Sequence, residues 1–536
     1  MKKICYNWSI SLLIGLFSLF FLNSIGFLFG LTVNPIYPVI STALSVFTLW
    51  FLTVKTDKFS SKNFFAQLIV LFDLILIFGA VCYFIPDFSY DGTTYHQASI
   101  IWLKWGWNPV YIKLSTFANS MQYQFPSSME YGQHFLKFFE IIGANIYALT
   151  GKIELTKLTN FILALSVFCY AFYSIKNYKN LSDWQVGIFA FLFVFNPVCI
   201  CQMLTNYVDC AFYYVFLILM FALINYTKNQ DRNALVMVVM SSVIFANVKL
   251  TGLFTVLIML MVFLIVFFTK KLLKISILVG VLILLTGINP YVTNMINGYN
   301  PFYPVVKESI LNANKEYMTT SYPTGFENSN RFKKLFISLF SSSRNLSPLI
   351  NTDKPTLKVP FAITNDDIFH FEDMRVGGFG YFFSGILLCS LILSMFLRFK
   401  DKEDKRLFFV IMAILMLSIL GNHEAWWARF VPQMWSLPLF IMLFFLYNEQ
   451  FNGKKRVLIS ILFLITFLNS SIVVKQYVSD RVGLALQRVE WINAIKLQDG
   501  QIMITKEEKQ QIPLFETMPV KLEEQGIKVL NEEWRE

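Results

Sequence analysis

Long apolar blocks, separated by short polar ones, run the length of this chain. Blocks dense in Phe, Leu, Ile and Val occupy 8–31, 36–54, 64–84, 155–175, 186–203, 207–226, 234–248, 250–268, 272–292, 379–397, 407–420, 431–447 and 457–474. A helix needs about 20 apolar residues to cross the hydrocarbon layer of a bilayer, so the pattern predicts about thirteen transmembrane helices. The two shortest blocks are 234–248 and 407–420.

The polar intervals orient the blocks. Lys2/Lys3, Lys55/Lys58/Lys62, Lys176/Lys179, Lys228/Arg232, Lys270/Lys271/Lys274, the run Arg398 to Arg406 and Lys454/Lys455/Arg456 fall on every second connection. Basic connections mark the cytoplasmic side, which puts the N-terminus in the cytoplasm and four segments outside. These are the loop 85–154, the loop 293–378, the short loop 421–430 and the C-terminal segment 475–536. All four histidines, His96, His134, His370 and His423, lie in them. The C-terminal segment mixes charges with short apolar runs, Gln501 to Thr505 and Ile527 to Leu530, and predicts a small α/β unit outside the membrane and the C-terminus with it.

Composition agrees. Of 536 residues, 56% are apolar and 15% charged, with a mean hydropathy of +0.54; no soluble domain of this size buries so much apolar surface. The expected class is an all-α polytopic membrane protein, located in the cell membrane. The net charge of +11 is scattered in small clusters rather than gathered in one stripe, which fits membrane orientation and excludes nucleic acid as a partner. Most of the seven cysteines sit in apolar blocks as small hydrophobes, without a disulfide framework. The run from Trp8 to Leu31 is too long for a signal peptide and reads as a retained helix.

Candidate chemistry gathers at the outer face. The first outer loop opens Ile85-Pro86-Asp87-Phe88-Ser89-Tyr90-Asp91-Gly92-Thr93-Thr94-Tyr95-His96, after which Tyr95, Ala98, Trp102 and Trp105 recur at helical spacing. That spacing predicts an amphipathic helix lying on the membrane with Asp91 near its N-terminus. A second such stretch carries Met129, Leu136, Phe139 and Gly143. A carboxylate held at the interface beside Tyr95 and His96 is placed to accept a proton from an acceptor hydroxyl or amine. The plain alternative for Asp91 is a helix N-cap.

The run Tyr90-Asp91-x-x-x-Tyr95-His96 in an early outer loop, followed by Asn300-Pro301-Phe302-Tyr303-Pro304, Gly377-Gly378-Phe379-Gly380 and Arg429-Phe430-Val431-Pro432, resembles the GT-C superfamily of polyprenyl-phosphate-sugar-dependent glycosyltransferases. The likeness is to bacterial members related to protein O-mannosyltransferases and aminoarabinose transferases. It covers roughly 64–474, leaving 1–63 as two extra N-terminal helices and 475–536 as the outer segment. The resemblance implies a sugar carried on a polyprenyl phosphate, an acceptor from outside (glycan, lipid or protein), inversion at the anomeric carbon and Asp91 as general base. Many members carry Asp-Glu where this chain has Asp91-Gly92, so the resemblance leaves a divalent metal optional.

Other charges have two readings each. A phosphate leaving group needs a cation where its charge develops, and Lys249, Arg375 and Arg429 stand at predicted outer ends of helices, Arg429 foremost through its motif; membrane anchoring by snorkelling is the alternative for Lys249 and Arg429, and pairing with Asp373 or Glu372 for Arg375. Asp209 lies two residues into its block, facing the same cavity or simply complementing a helix dipole. Asp73 in mid-block reads as a bundle-internal partner of a buried hydroxyl or lysine, or as a protonated acid. Asp366, Asp367, His370 and Glu372 have the composition of metal ligands but sit in a solvated loop. Trp426 and Trp427 suit stacking on a sugar ring or an interfacial aromatic belt. A lipid-linked glycan polymerase or ligase is a competing reading, carried by His370 with Arg375. A transporter or flippase would need mid-membrane charges in matched halves, and only Asp73 qualifies.

Overall fold

The computed structural model describes residues 1–56, 61–178, 181–229, 231–306, 322–345, 354–448, 453–504 and 516–531. Lys58, Lys179, Thr505 and the side chains of Arg232 and Lys454 to Arg456 lie outside the described residues, as do parts of the loop 293–378 and of the C-terminal segment. Helix takes 72% of the chain and strand 3%, so the fold is all-α in class.

A helix stands in each of the thirteen apolar blocks, but length and composition qualify only six among the described residues: Lys2–Leu28, Ile36–Lys55, Ser61–Phe84, Ile153–Asn177, Asp209–Asn229 and Val457–Gln498. A seventh follows if Lys270–Thr286 and Ile288–Ile296, bent by 73°, form one span. The bend has a local cause. Asn289 precedes Pro290 and takes φ −95°, ψ 124°, because the proline ring disfavours helical geometry in the residue before it. The block 186–203 is likewise split: Asn196 leaves the helix at ψ 128°, its side chain accepts from the Val198 N–H at 3.0 Å, and Pro197 starts a new turn. Between Arg232–Val248 and Leu250–Val266, Lys249 is extended at φ −154°, ψ 149°. The chain reverses there so tightly that a Cβ on Gly252 would lie 2.2 Å from the Phe245 carbonyl oxygen.

The centre of the bundle is Asp209–Asn229, whose apolar window is entirely buried. Its polar groups are matched inside the bundle, Asn225 donating to the Ser174 hydroxyl at 2.8 Å and Tyr213 to the Phe193 carbonyl at 2.9 Å, as lipid-embedded helices require. Ser61–Phe84 is peripheral, with 11% of its window buried. Asp73 lies on its exposed side, which corrects the expectation of a bundle-internal acid: the helix packs through Phe64, Gln67 and Leu71, and Asp73 falls on the opposite face.

The loop 85–154 also departs from expectation. Gly92–His96 forms one π-helical turn and Gln97–Lys104 an α-helix, of which every residue from Gln97 to Leu103 is buried. It does not lie on a membrane surface, because the C-terminal segment and the helix Phe138–Thr150 cover it. Thr517 donates to the Thr93 carbonyl at 3.0 Å and to the Gln97 amide oxygen at 3.1 Å. The second stretch is broken at Phe135 to Lys137 into Met129–His134 and Phe138–Thr150. At the far end, Gly453–Gln498 is one 46-residue helix that runs through position 474. Beyond it, strands Gln501–Ile504 and Lys528–Asn531 pair in parallel around the short helix Met518–Glu523.

Candidate functional site

Asp91 is set by what precedes it. Asp87 accepts from the Ser89 N–H at 2.8 Å and from the Asn206 N–H at 2.7 Å, tying the loop start to the turn before Asp209. A Cβ on Gly92 would lie 2.2 Å from the Ser89 hydroxyl and 2.5 Å from the Asp87 carboxylate, so a second acid here, as many of the resembled proteins carry, would require those hydrogen-bonded side chains to shift. Asp91 makes no capping bond to the following helix. Its carboxylate turns instead to Arg429, whose Nη1 donates to Oδ2 at 2.7 Å.

Arg429 lies on a 3-10 turn, Ala428–Phe430, laid against the segment 372–375: its N–H donates to the Met374 carbonyl at 3.0 Å. Gly378 permits that approach, since a Cβ there would stand 2.7 Å from that of Ala428. The guanidinium is therefore delivered between three carboxylates, with Nη1 3.6 Å from Asp209 Oδ2 and Nε 2.8 Å from Asp373 Oδ1. The last contact is an ion pair without hydrogen-bond alignment, leaving Nε unsatisfied. Aromatic rings wall the group, Tyr207 at 5.0 Å, Phe430 at 5.1 Å and Trp427 at 5.3 Å. Burial works against the charge, but Asp373 and Asp91 outweigh it and hold the Arg429 pKa well above its usual value.

Asp209 and Asp373 have further partners. Lys249 Nζ donates to Asp209 Oδ1 at 2.5 Å and stands 4.4 Å from the Phe430 ring centre. Gln202 donates to Asp209 Oδ2 at 3.2 Å. Arg375 donates to Asp373 Oδ2 through Nε at 3.1 Å and Nη2 at 3.0 Å, while Trp427 Nε1 donates to Oδ1 at 2.6 Å. Three carboxylates thus face three cations in one cluster. It is partly open: the side chains of Arg429 and Asp91 are 12% exposed and that of Lys249 26%.

Five residues singled out from sequence, Asp91, Asp209, Lys249, Arg375 and Arg429, therefore meet in space. Two do not join them. His96 turns to Glu140, Nδ1 to Oε1 at 2.6 Å, in a site where both side chains are 4% exposed. Tyr95 belongs to an aromatic group with Tyr131 at 5.0 Å and Phe135 at 5.5 Å. Asp373, Gln202 and Tyr207 complete the cluster; of these only Asp373 carried a signal, as the acid two residues before Arg375. Trp426 packs against Tyr322 and Phe326 at 5.9 and 5.1 Å, whereas Trp427 faces the cluster.

The remaining charged candidates are engaged elsewhere. Asp367 accepts from Lys358 at 2.8 Å and Asp366 from Arg344 at 2.8 Å, and among the described residues no three His, Cys, Asp or Glu side chains are grouped to hold a metal ion. Asp91, Asp209 and Asp373 are not a ligand set either, each being matched by a cation. His370 lies 3.5 Å from Asp480. Glu372 is fully buried, accepts from Arg481 at 2.6 Å and from the Tyr477 hydroxyl at 3.1 Å, and is pushed up to about 7 by burial against the pull of Arg481. Comparison with protein-family models, with curated proteins and with solved structures finds no match to this chain.

Proposed function

We propose that this protein is a membrane glycosyltransferase that moves a sugar from a polyprenyl-phosphate donor to an acceptor at the outer face, inverting the anomeric carbon, with Asp91 as general base. The observation that carries the reading is the bond between Asp91 and Arg429, which brings an ionisable acid and a phosphate-gripping cation into one partly open cluster. In this reading the thirteen helix-bearing blocks are thirteen crossings, with the N-terminus cytoplasmic and the loops 85–154 and 293–378 outside.

The acceptor hydroxyl or amine attacks the anomeric carbon and passes its proton to Asp91. The bond from that carbon to the phosphate oxygen breaks, and the lipid phosphate leaves with the electron pair. Arg429, whose planar fork suits phosphate, and Lys249 stand where that negative charge is met. A phosphate that takes over Arg429 also loosens its hold on Asp91, leaving the carboxylate available to a proton. Asp209 and Asp373 keep Lys249, Arg375 and Arg429 placed.

The test is transfer from a polyprenyl-phosphate sugar by purified protein in lipid, wild type against Asp91→Asn, which keeps the shape and removes the charge. The expected result is a fall of about a hundredfold or more, within the usual range for a lost general base, with thermal stability kept. An unchanged rate in the variant would remove Asp91 from the chemistry.

A further inference from the structure

At the opposite end of the bundle from the ion cluster, the helices Leu250–Val266 and Lys402–Leu420 leave a groove of 490 Å³ between them. One end is lined by Lys402, Lys405 and Arg406, and the rest by apolar side chains, among them Val266, Phe409 and Ala413. The three cations have no carboxylate partner among the described residues. The acids of the same turn point away: Lys228 takes Asp404 at 2.5 Å and Glu403 at 3.9 Å. Phe409 is 55% exposed along the groove wall. The rise from Lys402 to Ala413 is ~16 Å at 1.5 Å per residue, about the depth of one leaflet of a ~30 Å hydrocarbon layer.

A slot one leaflet deep, apolar along its length and cationic at its mouth, has the length for one acyl chain and the charge for an anionic headgroup. We infer that the groove holds an anionic phospholipid, its phosphate among Lys402, Lys405 and Arg406 and an acyl chain along Phe409 and Ala413. A zwitterionic lipid offers the same chain but a neutral headgroup. The three cations therefore provide the selectivity, at about 1 kcal/mol for each basic residue near a charged surface, or on the order of a hundredfold together. The site is separate from the cluster around Arg429 and does not depend on the reaction assigned there.

The experiment is native mass spectrometry of the full-length protein released from bilayers of mixed phosphatidylglycerol and phosphatidylcholine. Wild type is expected to retain one phosphatidylglycerol with roughly hundredfold preference. The triple variant Lys402→Gln, Lys405→Gln, Arg406→Gln should lose the preference while unfolding at the same temperature in phosphatidylcholine. Ala413→Trp, which fills the chain slot and leaves every charge, should also lose the lipid. Equal retention of both lipids by wild type, survival of the preference in Ala413→Trp, or displacement of the lipid by millimolar glycerol phosphate would each overturn the inference.

Discussion

Two clusters of buried charge lie near the start of the loop 85–154, and they are built differently. One surrounds Glu154: Lys157 Nζ at 2.7 Å, Lys521 Nζ at 3.0 Å and Arg488 at 3.5 Å. Its charges are also bonded to backbone, Lys157 to the Ile85 carbonyl at 2.6 Å, Lys521 to the Asp87 carbonyl at 3.1 Å, and the Asp87 N–H to Glu154 at 2.8 Å. The other surrounds Arg429, where side chains meet mainly side chains and aromatic rings. The lysines of the first are 0% and 4% exposed, against 26% for Lys249 of the second. Backbone bonds lock the first as a staple fastening the C-terminal unit to the loop 85–154. The second is less tied to the main chain, and it is there that the proposed reaction has a cation change partner. A buried ion pair by itself says little about stability or function; what else its members hold tells the two apart.

The strongest test of that contrast is Glu154→Ala. It strands three cations in a buried place, and breaking such a pair costs about 3–5 kcal/mol. The thermal midpoint of the purified protein should fall sharply, and transfer activity with it. A midpoint unchanged from wild type would mean the cluster is not a staple.

The complementary change is Arg429→Lys, which keeps the charge but loses the planar fork. Transfer is expected to drop by about a hundredfold, as for loss of a charge-stabilising donor, while stability changes by less than about 1.5 kcal/mol. If unfolding measurements instead showed a loss as large as that of Glu154→Ala, the Arg429 cluster would be a second staple and the contrast would disappear.

A pH-dependent effect belongs to Glu372, beneath the site. Its folded pKa of about 7 lies above the ordinary 4.5, so the folded protein holds this proton more tightly than the unfolded chain. The stabilisation is complete below about pH 4.5 and is lost as pH rises through 7, up to about 3 kcal/mol in all. Unfolding midpoints recorded between pH 4.5 and 8 should decline, and Glu372→Gln should flatten that decline. A wild-type curve identical to the variant's would show that Arg481 already keeps Glu372 ionised throughout.

Much of the helical framework was legible, because a block of apolar residues has few other ways to satisfy its backbone in lipid. The breaks at Asn196-Pro197 and Asn289-Pro290 were legible in principle too, being written in proline chemistry, although the blocks 186–203 and 272–292 read as continuous. The first outer loop misled for a different reason. Tyr95, Ala98, Trp102 and Trp105 do share a face, but spacing reports only one face of a helix, and the residues that cover the others are Thr517 and its neighbours, over four hundred positions away. His96 was grouped with Asp91 through sequence proximity, whereas Glu140 claims it in space.

By itself, the order of apolar and polar residues determined a helical protein built for a bilayer, and the placing of single charges at helix ends nominated Asp91, Asp209, Lys249, Arg375 and Arg429. Only the tertiary structure decided that those five share one cluster with Asp373, that Asp91 answers to Arg429 rather than to its own helix, and that Asp73 faces outward. Apolar periodicity acts within a few turns of one helix, while an ion pair between positions 91 and 429 depends on how the whole bundle closes.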